Sequence, residues 1–148
     1  MRLSVNVLAL SFVTLFFSSF SWAAHKANLQ EGHGAAGYDV VSYIKELKAI
    51  PGDNKWATSY QGVTYLFKSD ANREEFMKSP HTYVPAYGGW CAYAMAENEE
   101  VEVDPKTFKV INGKTYLFYN GLWGNTLEKW NKDEAKLKAR ADAAWVKP

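Results

Sequence analysis

A chain of 148 residues carries 17 basic and 16 acidic side chains, 47% hydrophobic residues and one cysteine. The near balance of charge argues against nucleic acid and against an anionic membrane as main partner, because both reward a basic surface. One cysteine excludes an internal disulfide framework, and the length suits a single domain with a core of its own.

In chain order, Met1-Arg2 supplies a positive charge, Leu3 to Trp22 is uncharged and mostly apolar, and Ser21-Trp22-Ala23 closes the stretch with a small-x-small pattern. That is the layout of a secretory signal peptide. Residues 1–23 are therefore expected to be removed after Ala23, leaving a periplasmic or secreted protein with no stable membrane insertion. An uncleaved anchor is the alternative, since about 20 residues also span a bilayer. His25 to Gly37 is polar and contains glycine without periodicity, so 24–37 reads as a flexible leader, and 38–148 as the domain.

Tyr38 to Lys48 is apolar-periodic with Asp39 near its start, which predicts a short helix. Pro51-Gly52-Asp53-Asn54 is a turn signal. Trp56 to Tyr60 and Val63 to Phe67, separated by Gln61-Gly62, read as a hairpin. Ser69-Asp70 offers a cap for a helix that buries Phe76-Met77 and stops before Pro80. Cys91 to Glu99 is alanine-rich and predicts a third helix opened by the Gly88-Gly89 bend. Gly62-Val63-Thr64-Tyr65-Leu66-Phe67 then recurs as Gly113-Lys114-Thr115-Tyr116-Leu117-Phe118, 51 positions on. Each copy follows a strand-like run and a polar-glycine turn and precedes a helix-like segment. The second of those helices is expected from Asn125 to Trp145, with Leu127, Trp130, Leu137, Ala141 and Trp145 on one face. The expected fold is a small α+β domain, two hairpin-plus-helix units around a core rich in aromatics, which make up 16% of the chain.

Gly37-Tyr38-Asp39-Val40-Val41-Ser42-Tyr43, Tyr60-x-Gly62-x-x-Tyr65-Leu66-Phe67-x-Ser69 with Asn72-Arg73 and Phe76, and Pro80-x-x-Tyr83-x-Pro85-x-Tyr87-Gly88-Gly89-Trp90-Cys91-Ala92-Tyr93 follow one another along the chain, ending in Lys129-Trp130 and Ala141-Asp142-Ala143-Ala144-Trp145. This succession resembles the YHS-domain proteins, specifically the secreted or periplasmic subgroup of YHS domain-containing (seleno)proteins. YHS modules accompany copper-transporting ATPases and metal-handling proteins, so the resemblance implies soft-metal binding. The chain departs from the cysteine sites of those modules: Lys68 follows Phe67 where they carry cysteine, Asn72 is not cysteine, and no Cys-Gly-Met precedes the first strand. What the subgroup implies instead is a role for Cys91, whose position is selenocysteine in some relatives, a residue used where a reactive or metal-ligating chalcogen helps.

The residues around Cys91 carry several chemistries. At the start of a helix its sulfur would lie near unsatisfied N–H groups and the positive dipole end. Met95, four residues on, would share its face, and thiolate plus thioether favour Cu(I), with His81 as a third donor. Cys91, Met95 and His81 are thus the candidate metal ligands and copper, as Cu(I), the candidate cofactor. A thiol-based redox role for Cys91 is the alternative; without a second cysteine its partner would be a small external thiol or another chain. A hydrolase would need His81 as base and Asp104 or Glu97 to orient it, and nothing in the spacing selects that triad. A non-catalytic module for a small ligand or a protein asks least of the residues, and buried packing asks only that Cys91 behave as a small hydrophobe. Glu97, Glu99, Glu100, Glu102 and Asp104 form an acidic cluster that reads as a solvated turn, and His25 and His33 as solvated leader residues.

Overall fold

The computed structural model describes residues 26–147. The expected signal peptide, 1–23, lies outside them. Within them the chain is the expected α+β domain. β1 (Leu29–Gln30) and β2 (His33–Gly34) form a small hairpin, followed by α1 (Val40–Lys45), β3 (Asp53–Tyr60), β4 (Val63–Phe67), α2 (Asp70–Lys78), α3 (Pro80–Tyr83) and α4 (Ala92–Met95). The second half holds β5 (Asp104–Ile111), β6 (Lys114–Phe118), β7 (Asn120–Gly121), β8 (Gly124–Asn125), α5 (Thr126–Trp130) and α6 (Glu134–Trp145). All four sheets are two-stranded and antiparallel.

Local chemistry explains the boundaries. Asp39 caps α1 by accepting from the Val41 and Ser42 amides, and Ser69 caps α2 through the Asn72 amide, each satisfying donors that a helix start leaves without partners. Gln61 and Gly62 have φ of 50° and 79°, and Asn112 and Gly113 have 50° and 74°. Two consecutive left-handed residues are what a two-residue hairpin turn matched to strand twist demands.

The repeat extends to the hydrogen-bond register. Ala57 faces Leu66 as Phe108 faces Leu117, and Tyr60 faces Val63 as Ile111 faces Lys114. Both hairpins break register after their first aspartate, Asp53 and Asp104, whose carboxylates accept from the Lys55 and Lys106 amides. One difference between the units has a consequence for stability. Thr64 exchanges a hydroxyl hydrogen bond with Ser59 at 3.2 Å, but Val110 stands where Ser59 would, and among the described residues the buried Thr115 hydroxyl has no partner. Because an unsatisfied buried hydroxyl is costly, Thr115→Val is expected to stabilise the fold by about 1 kcal/mol, read as a raised urea midpoint at unchanged slope.

Side chains alternate across β6, and that alternation divides the core. Leu117 joins Val40, Val41, Tyr43, Phe67, Phe76 and Tyr83 in one cluster. Tyr116 and Phe118 point the other way, into a second cluster with Tyr87, Met95, Trp130, Leu137 and Ala141. Aromatic pairs fill both: Phe67 and Phe76 have centroids 5.0 Å apart, Phe118 and Trp130 5.5 Å, in the range where ring pairs attract beyond simple burial.

Three expectations need correction. The leader is not without structure from Asn28 onward: the β1–β2 hairpin turns at Glu31 and Gly32, and the buried Asn28 side-chain amide donates to the Gly89 carbonyl at 3.1 Å. The expected helix from Asn125 to Trp145 is two, because the Asn131-Lys132-Asp133 turn separates α5 from α6. The helix from Cys91 to Glu99 is a single turn, Ala92–Met95, ended as Asn98 takes a left-handed φ of 61°.

Candidate functional site

Cys91 is the N-cap of α4, with ψ of 117°, and its side chain caps no amide of that helix. Its own amide donates to the Val101 carbonyl at 2.9 Å, and its carbonyl accepts from Met95. The sulfur has no exposed surface. It nevertheless has polar neighbours: the Tyr119 amide donates to it at 3.4 Å, and Thr126 Oγ1 lies 3.4 Å away. The Thr126 hydroxyl donates to the Tyr119 carbonyl at 2.8 Å. Its proton is thereby committed, so the thiol proton is the one that bridges sulfur and hydroxyl, and Cys91, Thr126 and Tyr119 close a ring of hydrogen bonds.

The repeat gives this arrangement a counterpart. In the first unit the residue that caps the helix, donates its amide to Ile50 at 2.8 Å and accepts the Lys68 amide at 2.9 Å is Asp39. In the second unit Cys91 stands at the N-cap position, donates to Val101 and accepts the Tyr119 amide. Ile50 and Val101, and Lys68 and Tyr119, stand at matching places in the two units. The Asn72 side-chain amide adds a donor to Asp39 at 2.8 Å, as Thr126 adds a hydroxyl to Cys91. The thiol therefore occupies the place where the first unit holds a buried carboxylate ringed by donors.

Above the sulfur opens a pocket of about 230 Å³ lined by Cys91, Tyr93, Val101, Tyr119, Trp123 and Thr126, with Glu97 and Glu99 also on its wall. Trp123, in the turn between β7 and β8, is 83% exposed, and its amide donates to the Tyr119 hydroxyl at 3.3 Å. Glu97 is held by Arg140 at 2.7 Å. The pocket is largely aromatic and apolar, with the buried Cys91 in its lining, a shape suited to a small organic group.

The three candidate metal ligands do not share this place. Cys91 belongs to the first core cluster and Met95 to the second. His81 is exposed on α3, where its carbonyl accepts from the Lys114 ammonium at 2.8 Å, and it does not line the pocket. Among the described residues no three His, Cys, Asp or Glu side chains are grouped to hold a metal ion, and of the three candidate ligands Cys91 lines the pocket while Met95 and His81 do not. Of the hydrolase candidates Glu97 shares the Cys91 pocket, while His81 and Asp104 do not line it, Asp104 accepting from the Lys106 amide and the Thr107 hydroxyl. Of the acidic cluster, Glu97 and Glu99 reach the pocket. His33 is half-buried in β2 rather than fully solvated.

Tyr119, Trp123 and Thr126 were not singled out from the sequence. The signal for Tyr119 lay in the 51-residue spacing, which sets it opposite Lys68; nothing comparable marks Trp123 or Thr126, which belong to the small β7–β8 hairpin and its exit that the first unit lacks. No protein-family model, no curated protein and no solved structure matches the chain.

Proposed function

We propose that the protein is an exported YHS-like thiol protein in which Cys91 exchanges with small thiols and disulfides entering the pocket above it. The observation that carries this reading is that the buried Cys91 lines that pocket and that its Sγ lies between the Tyr119 amide and the Thr126 hydroxyl. A sulfur used only as filler needs neither polar neighbour. The aromatic wall offers ring surfaces to an incoming group, while the amide offers a hydrogen bond to the sulfur whether or not it carries its proton.

The chemistry balances without an added oxidant. Cys91 sulfur, having given up its proton, attacks one sulfur of a disulfide R–S–S–R; the Cys91–S–S–R bond forms, the S–S bond of the reagent breaks, and the departing sulfur leaves as R–S⁻ and takes up a proton. With one cysteine in the chain, the mixed disulfide is resolved by a second external thiol.

Incubated with glutathione disulfide, the folded protein is expected to gain one glutathionyl group, reversibly by dithiothreitol, and Cys91→Ser to gain none. Labelling that proceeds only as fast as global unfolding would overturn the reading. The soft-metal reading keeps the same sulfur, supported by the resemblance and by thiolate preference for Cu(I). Cu(I) uptake in chelator competition that is lost in Cys91→Ser, in a protein that takes no glutathionyl group, would favour it instead.

A further inference from the structure

A second cleft, of about 490 Å³, shares no lining residue with the Cys91 pocket. It lies where the two repeat units meet. Val63 and Tyr65 of β4 line it, and so do Lys114 and Tyr116 of β6, the same two positions of each hairpin. Its volume falls in the range of about 300–1,000 Å³ typical of small-molecule sites.

The walls are aromatic. Tyr65, Tyr87 and Tyr116 are buried beneath the opening, with the half-buried rings of Tyr60 and Trp145 also on the wall. Tyr87 meets Tyr116 at 5.7 Å and Trp145 at 6.3 Å between centroids, both edge to face. Gly88 makes this wall possible: a Cβ there would lie 2.9 Å from the Trp145 ring, on a residue whose φ is +60°.

Set into this aromatic surface is one cation without a counter-ion. Where the first unit has Val63, the second has Lys114, whose ammonium donates to the His81 carbonyl at 2.8 Å. That uses one of its three N–H donors, and among the described residues no carboxylate pairs with it. Burial pushes its pKa down, which an anion brought alongside would oppose. The other charge in the cleft is already matched. Asp142 accepts from Lys138 and from the Tyr87 hydroxyl, each at 2.7 Å; burial opposes its charge, but those hydrogen bonds outweigh burial and hold its carboxyl below the usual range. The cleft thus presents ring surfaces and one ammonium with two N–H donors to spare, while the charge of its one carboxylate, Asp142, is offset by Lys138 outside the lining.

We propose that this cleft binds an aromatic monocarboxylate, its ring among Tyr60, Tyr65, Tyr116 and Trp145 and its carboxylate on the Lys114 ammonium. A single lysine matches a monoanion with two acceptor oxygens, whereas a dianionic phosphate group would bring one negative charge more than the cleft offsets, close to Asp142.

Titration of the protein with 2-naphthoate and with its neutral analogue 2-naphthamide, followed by tryptophan fluorescence and calorimetry, tests this. The carboxylate is expected to bind about tenfold or more tightly than the amide, as a charge-assisted hydrogen bond in a partly dry site provides. Lys114→Met should erase that difference while leaving the amide unaffected, and Lys114→Arg should restore it. Because Lys114→Met keeps the aliphatic stem, amide binding also reports that the cleft is intact; should that variant fail to fold, Lys114→Gln takes its place. Equal binding of carboxylate and amide, full naphthoate affinity in Lys114→Met, tighter binding of 2-naphthyl phosphate than of 2-naphthoate, or no binding of either naphthalene would overturn the proposal. Each readout is independent of Cys91 and stands whether or not the thiol reading does.

Discussion

Asp39→Ala is expected to leave the protein largely unfolded at room temperature, with a loss on the order of 4 kcal/mol or more. The Asp39 side chain has no exposed surface and receives four donors: the Val41 and Ser42 amides on Oδ1, and the Lys68 amide and Asn72 side-chain amide on Oδ2. Alanine removes every acceptor at once and leaves the Val41 and Ser42 amides buried and the Lys68 and Asn72 donors part-buried without it, each buried one costing about 1–3 kcal/mol. Few domains have more than about 5–15 kcal/mol in reserve. Asp39 also ties helix to hairpin, since Lys68 follows β4 and Val41 lies in the first turn of α1, so its loss frees two elements from one another. The counterpart change in the second unit, Cys91→Ala, removes one acceptor of the Tyr119 amide, and the Thr126 hydroxyl keeps the Tyr119 carbonyl. Its cost should stay near 1–2 kcal/mol, from lost packing and one orphaned donor. Urea denaturation followed by tryptophan fluorescence compares the two. Equal midpoints would mean that the two positions are not equivalent as argued, and that the donors around Asp39 find water when it is gone.

That asymmetry also explains what the sequence could reveal. The hairpins were legible because their turns carry Gln61-Gly62 and Asn112-Gly113 between alternating strands, and local turn chemistry decides register without help from the rest of the chain. The caps at Asp39 and Ser69 were legible for the same reason. The equivalence of Asp39 and Cys91 was not: the residues share no chemistry, and the span from Cys91 to Val101 is one residue shorter than the span from Asp39 to Ile50, so the 51-residue register slips between them. The pairing of Cys91 with Met95 rested on both being inside one helix, where four residues bring side chains to one face. Cys91 is instead at the N-cap, outside the helical φ/ψ range with ψ of 117°, and the two residues fall in different core clusters. The break between α5 and α6 hides in a periodicity that continues across it: Trp130, Leu137 and Ala141 all reach the same cluster, and periodicity cannot distinguish one helix from two that bury the same face. Asn28 looks like a leader residue because its role, bonding Gly89, is made entirely by a distant part of the chain.

Trp130→Ala is expected to cost about 3–5 kcal/mol and to loosen the thiol site, although Trp130 does not line the Cys91 pocket. The indole is fully buried, stacks edge-on against Phe118 at 5.5 Å, lies 6.0 Å from Tyr116, and donates its N–H to Glu134 at 3.1 Å. It is the anchor of α5, a five-residue helix too short to hold its shape without tertiary contacts. The first residue of that helix is Thr126, the hydroxyl beside Cys91 Sγ. A cavity at Trp130 therefore reaches the sulfur through one helical turn, and glutathionylation of Cys91 should accelerate in Trp130→Ala under conditions where the variant remains folded. Met95→Leu supplies the contrast. Met95 packs in the same second cluster but on α4, and leucine nearly conserves its volume, so the change should cost less than about 1.5 kcal/mol and leave Cys91 labelling as it was. If Met95→Leu alters the thiol chemistry as strongly as Trp130→Ala does, the thioether acts on the sulfur directly and the division of the core into two clusters does not insulate it. If neither variant does, Thr126 is held by its own bond to Tyr119 rather than by α5, and the ring of Cys91, Thr126 and Tyr119 is self-supporting.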